Sequence, residues 1–219
     1  GVDRTTKTID VQVSAGGSSD PNIVQQGEMW FRVNPSAQTA TLECLDMDQS
    51  VGKDYTVPAT ITYSGRTFKV TTIGQTAFAD LKVRSVTLSP GLTTIGRQAF
   101  TRTRITSIDI PSTVTSIDYR AFAENPALQT VTVPSSVRKL GLGIFAMCTA
   151  LTTAKLPDAV DSMGNTMFFG CSALTSVTLP SNLTAVPECT FEDCKALARI
   201  TLPATVSVIE QNAFMHTAL

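Results

Sequence analysis

The sequence predicts a β-rich solenoid of about seven stacked coils of 22–23 residues, entered through an N-terminal β cap. Three observations carry this. Phe78, Phe100, Phe122, Phe145, Phe168, Phe191 and Phe214 recur at steps of 22, 22, 23, 23, 23 and 23 residues. Short alternating stretches recur in phase with them: SVTL, SIDI, TVTV, SVTL and RITL. The composition is 42% apolar but only 16% charged, below the usual quarter. A fixed period in the low twenties marks units that cannot bury an apolar face alone and must stack.

Each repeat carries several columns. The alternating stretch is rich in β-branched residues, the pattern of a short strand with one face buried. Its inward positions are Val86/Leu88, Ile108/Ile110, Val131/Val133, Ala154/Leu156, Val177/Leu179 and Ile200/Leu202. A proline follows at Pro111, Pro134, Pro157, Pro180 and Pro203, with Ser89 in that slot of the first repeat and Pro90 one residue late. Proline lacks the N–H that a ladder needs, so the strand ends there at a corner. A second apolar column reads Ile73, Ile95, Ile117, Leu140, Met163, Val186 and Ile209. The segment ending in Ala-Phe is expected to be a compact turn or short helix whose Phe plugs the coil. At one inter-strand step per coil the rod spans roughly 35 Å.

The period L-x-x-V-T-L-P-x-x-L-T-x-I-G-x-x-A-F-x-x-C resembles the leucine-rich repeats of the bacterial surface protein A (BspA-like) family. SVTLSPGLTTIGRQAF and SVTLPSNLTAVPECTFEDC carry it closely, and residues 57–78 resemble the entry into such arrays. The resemblance covers about residues 57–219. Pro187 and Glu210 depart from the usual Gly, and Ile144, Met167 and Thr190 from the usual Ala. It implies a leucine-rich repeat solenoid, β-rich with short helical turns. It also implies a secreted or lipid-anchored bacterial protein, at the cell surface or extracellular, used in adhesion or partner binding.

Residues 1–26 read as a flexible leader or linker, with one alternating stretch, TIDVQV, as a candidate edge strand, and then SAGGSSDPN. Residues 27–69 read as the β cap, with turns at Asn34-Pro35 and Ser64-Gly65. Residues 70–219 form the solenoid. Trp30, Phe31 and Tyr63 are the expected cap core. After Phe214 the chain gives MHTAL and stops where the next strand would begin. That open end is expected to be a short last coil, a cut chain, or a face that meets a partner, end-to-end self-association included.

The net charge is −1, so no global field favours nucleic acid. No apolar run approaches the length of a membrane span. The charge is graded along the chain. Residues 66–104 hold Arg66, Lys69, Lys82, Arg84, Arg97, Arg102 and Arg104 against Asp80. Residues 156–219 hold Asp158, Asp161, Glu188, Glu192, Asp193 and Glu210 against Lys195 and Arg199. Most such charges are solvated surface.

Residue by residue, the chemistry thins out. GLGIFA (141–146) matches part of a dinucleotide fingerprint, but Gly141 falls in the column of Gly74, Gly96 and Gly164, and Phe145 is the repeat Phe. His216 is the one histidine and has no held triad around it. Cys148, Cys171 and Cys194 share one column three residues after the Phe. Buried free thiols are the leading reading there; a disulfide and a zinc site are the rivals. Asn182-Leu183-Thr184 matches a glycosylation sequon. No catalytic residue, cofactor or metal is expected.

The function expected is non-catalytic binding of a protein partner, such as a host extracellular or surface protein. The binding positions are the outward strand residues Ser107, Asp109, Thr130, Thr132, Thr153, Lys155, Ser176 and Thr178. The rival classes are an anionic-glycan binder using Arg84, Arg97, Arg102 and Arg104, and a structural spacer or self-assembling domain.

Overall fold

The computed structural model describes residues 20–46, 51–160 and 162–219, and TIDVQV lies outside them. The described residues contain 15 strands and no helix. An antiparallel meander opens the chain: β1 (Ile23–Gln26), β2 (Met29–Asn34) and β3 (Thr39–Leu45). Ile23–Gln26, read from the sequence as the end of a leader, are therefore paired into a sheet. Next come β4 (Asp54–Thr56) and the hairpin of β5 (Thr60–Tyr63) with β6 (Arg66–Ile73). β6 runs parallel to β3, and that contact changes an antiparallel sheet into a parallel stack.

Two walls of short parallel strands then build up. One contains β7 (Ser85–Thr87), which pairs with β4. The other adds β8 (Thr94–Ile95) and β9 (Ser116–Ile117) to β6. β10 (Thr130–Thr132) resumes the first wall, and β11 (Lys139–Leu140) pairs with β9. β12 (Thr153–Lys155) and β13 (Ser176–Thr178) follow β10 in register. β14 (Ala185–Val186) pairs with β15 (Val208–Ile209). Residues 105–110 bury Ile105 and Ile108 as the pattern requires, yet join no ladder, so the first wall divides there into β4-β7 and β10-β12-β13. Gln129 N–H donates to Thr106 O at 3.0 Å, which ties that segment to the coil of β10.

Of the two forms expected for the Ala-Phe segment, compact turn or short helix, the structure shows turns, and the backbone explains why. In every repeat the residues two before and two after the Phe have left-handed φ: Thr76 at 57° and Asp80 at 63°, through Asn212 at 57° and His216 at 58°. A helix needs a run of right-handed residues. From the first of these positions onward the N–H groups alternate in direction. Ala79 and Leu81 bond back three residues within the coil, to Thr76 and Phe78. Thr76, Phe78 and Asp80 bond instead to Arg97, Ala99 and Thr101 of the next coil, at 2.8–2.9 Å. The same three bonds recur at each later step, ending with Cys189, Phe191 and Asp193 on Gln211, Ala213 and Met215. The turns thus form a third hydrogen-bonded wall. Only Gly143 and Gly170 among these left-handed positions are glycine, so the other residues bear a cost of about 1–2 kcal/mol each.

Inside the three walls the seven phenylalanines stack nearly parallel, with centroids 4.9–5.8 Å apart and planes within 13°. Tyr55 meets the first ring edge-on at 6.3 Å. The core continues into the N-terminal strands through Val24, Phe31, Leu42, Ile61 and Phe68. Of the expected cap core, Phe31 is fully buried. Trp30 and Tyr63 are half-buried and use their polar ends, Trp30 Nε1 donating to Asp46 and the Tyr63 hydroxyl to the Pro21 carbonyl. Ser89 is buried in its proline slot and donates to the Pro58 carbonyl.

Gly141 has a packing reason. A Cβ there would stand 2.4 Å from Tyr119 N, and one on Gly164 2.5 Å from Gly141 O. These contacts are with backbone, which cannot swing aside. The GLGIFA segment is therefore an inter-coil contact.

Two outcomes follow from this packing. Phe145→Ala should destabilise the fold by roughly 3–5 kcal/mol in chemical denaturation; a near-zero change would show that the stacked rings are not the core. Gly141→Ala should cost about 1–3 kcal/mol as an overpacking defect, and a neutral effect would mean that neighbouring coils separate freely.

Candidate binding face

On the first strand wall, alternate residues point outward. The register aligns them in two files. Asp54 lies beside Ser85, and Thr56 beside Thr87. Beyond the division, Thr130, Thr153 and Ser176 form one file, and Thr132, Lys155 and Thr178 the other. All six, with Ser107 and Asp109, are exposed, so each outward strand residue expected from the alternation faces solvent.

These hydroxyls differ from others in the same coils. Thr152 and Thr175 donate to the carbonyls of Gln129 and Thr152, and Thr93 and Thr115 to those of Thr71 and Thr93. Those side chains satisfy their own scaffold. Among the described residues, no hydrogen bond engages the side chains of Thr130, Thr132, Thr153, Ser176 or Thr178. They form a regular array of donors and acceptors directed outward, with Lys155 as its cation.

Three of the four arginines have partners of their own. Arg84 makes two bonds to the Asp54 carboxylate, which also accepts from Ser85. The Arg84 guanidinium, with Ser85, holds Asp54 down at about 2. Arg102 bridges two coils, binding Asp80 at 2.5 and 2.9 Å and Glu124 at 3.3 Å. Asp80 is lowered by Arg102, and Arg102 is raised by Asp80 and then Glu124. Arg97 lies over the Tyr119 ring at 4.5 Å, and Arg104 is exposed. Asp80, Arg102 and Glu124 are consecutive members of the column two residues after the Phe. Their alternating signs were readable in the sequence once that column was drawn. Such exposed pairs contribute about 0–1 kcal/mol each.

The cysteine column is buried. Cys148, Cys171 and Cys194 donate their thiols to the carbonyls of Phe122, Phe145 and Phe168 in the preceding coil, at 3.1–3.2 Å. One coil earlier, Asn125 does the same work with Nδ2, bonding Phe100 and Phe122 and accepting from Thr103. Burial pushes Cys148 and Cys194 up to about 12, and Cys171 well above its ordinary value. All five cysteines are free. Cys189 is half-exposed; its bond with Glu192 raises it to about 11.

Stacked coils with parallel strand walls and an internal phenylalanine file define a leucine-rich repeat solenoid. Solved structures share this fold. A T. pallidum leucine-rich repeat protein superposes with a TM-score of 0.74 at 24% identity, over 85% of each chain. A Bacteroides ovatus leucine-rich repeat protein gives 0.69 at 22%, over 85% of this chain and 55% of that one. The chain therefore spans about half the length of the Bacteroides ovatus protein. A Bacteroides capillosus leucine-rich repeat protein gives 0.50 at 26%, over 65% of this chain and 97% of that one. No curated protein matches the chain. The model of the BspA-type leucine-rich repeat region matches residues 60–168 and 117–219, with six copies. The chain belongs to that family.

The thiol column makes stability fall with alkali. A thiol whose folded pKa is raised keeps its proton in the native state while the unfolded chain loses it. Stability is thus complete below the unfolded thiol value, near 8.5, and falls as pH rises from there toward the folded value of about 12. Within that window each such thiol should remove up to about 1.4 kcal/mol per pH unit. Denaturation between pH 8 and 10.5 should show this slope and Cys148→Ala should reduce it by one thiol's share, Cys171 and Cys194 keeping theirs; equal slopes would place the Cys148 thiol in contact with water.

Proposed function

We propose that this chain is a non-catalytic binding module that recognises a protein partner through its outward strand face. At a bacterial cell surface this would be an adhesion module, with a host extracellular or surface protein as the partner. The supporting observation is the exposed, in-register array of Thr130, Thr132, Thr153, Lys155, Ser176 and Thr178. A rigid scaffold holding such groups in fixed rows lowers the entropic cost of binding. Residues 27–69 act as the cap that covers the first coil, and 70–219 as the repeat array. Three of the four arginines proposed for an anionic glycan are already occupied by carboxylates or a ring, which favours the strand face.

The test is a binding screen of the purified chain against extracellular-matrix proteins and anionic glycans, at low and high salt. A protein hit that survives high salt, and that Thr132→Arg with Thr153→Arg weakens at least tenfold without changing the thermal midpoint, is the expected result. A glycan hit lost at high salt and abolished by Arg104→Ala would overturn it. Silence in both panels would favour a spacer.

A further inference from the structure

The left-handed position two residues after the Phe brings Asp193 and His216 together on successive coils. Asp193 N–H bonds to Met215 O at 2.9 Å, which fixes that step. His216 Nδ1 then stands 3.3 Å from Asp193 Oδ1. Glu192, next in sequence, turns into the same space. The three residues each present one donor atom, all within 4.8 Å of one another.

We propose that Glu192, Asp193 and His216 form a site for a divalent transition-metal ion such as zinc, spanning two coils. Geometry and donor type carry it. Two ligands bound to one tetrahedral zinc at about 2.0–2.1 Å lie about 3.3 Å apart. The imidazole–carboxylate spacing already equals that edge. It is also longer than a good N–H···O bond of about 2.9 Å. One imidazole nitrogen with two carboxylates is a donor set suited to zinc and its neighbours. Calcium and magnesium prefer oxygen alone.

The surroundings agree. The Glu188 carboxylate lies close enough to act on Cys189. Glu192 acts on the same thiol, so Glu188 adds a further carboxylate near the trio. This local excess of negative charge would favour a cation. The site lies on backbone held by the inter-coil ladder, so its ligands are preset by the fold. Asp193 and Glu192 are half-buried and His216 is exposed, which leaves coordination positions for water. Cys189 touches Glu192 rather than joining the trio.

Cobalt(II) titration of the full, tag-free chain under reducing conditions tests the assignment, because cobalt reports its ligands optically. The expected result is one equivalent bound, with visible bands of low-coordinate cobalt and no thiolate charge-transfer band. Zinc should displace it. His216→Ala and Asp193→Asn should each weaken binding at least about tenfold, no less than loss of an outer-shell partner does, and Cys189→Ser should leave it unchanged. Binding by His216→Ala equal to the parent would overturn the site. A thiolate band, or loss of binding in Cys189→Ser, would move the metal to cysteine and equally overturn it. No binding by the parent chain would do the same. Circular dichroism on each variant separates loss of the site from loss of the fold.

Discussion

The fold rests on one constraint: amide groups in the turns must point along the stacking axis rather than around the coil. Left-handed residues on both sides of each phenylalanine achieve this. They send three N–H groups per coil into the next. The conformational cost at non-glycine positions is offset by three ordered bonds per coil and by a ring placed at the centre of the coil. Without the paired left-handed residues the segment would close into a helical turn, its bonds would stay local, and the coils would have only two short strand walls to join them.

That constraint also shapes the outward strand face. With three walls setting the rise per coil, strands of only three residues stay in register across β10, β12 and β13. Neither a three-residue strand nor its outward hydroxyls could hold such alignment alone. The face is regular because the opposite side of the coil is fixed. The buried column reinforces this: Asn125 and then three thiols secure the phenylalanine carbonyls of preceding coils. A thiol serves where one weak donor is enough and nothing charged is tolerated.

Much of this was legible in the sequence because it is periodic. The phenylalanine file, the alternating strands and the exposed Thr and Ser positions follow from spacing alone. The left-handed pairs were not legible, because Thr, Gln, Arg, Cys and Asn occupy the same conformation at Thr76, Gln98, Arg120, Cys189 and Asn212. Glycine, the usual signal, is mostly absent there. The break in the first strand wall at residues 107–110 was equally hidden, since SIDI alternates as well as SVTL does. The meeting of Asp193 with His216 depends on coil stacking, which brings together residues that are distant in sequence. The partners of the arginines were hidden in the same way. Arg84, Arg97 and Arg102 each meet a different neighbour, Asp54, the Tyr119 ring and Asp80, and only stacking reveals it.

The turn wall has an electrical consequence. Its peptide groups lie head to tail from coil to coil: Arg97 O accepts from Thr76 while the following Gln98 N–H donates to Tyr119 O, and so on along the rod. Three such files run side by side, all oriented the same way, as the peptides of an α-helix are. Here, however, the N–H ends point toward the later coils, so the positive pole lies where a helix has its negative one. The side chains are graded against this backbone dipole. Lys82, Arg84, Arg97 and Arg102 gather toward the carbonyl end, and Glu188, Glu192, Asp193 and Glu210 toward the amide end. The uneven charge along the sequence is thus the complement of a polarity already present in the main chain.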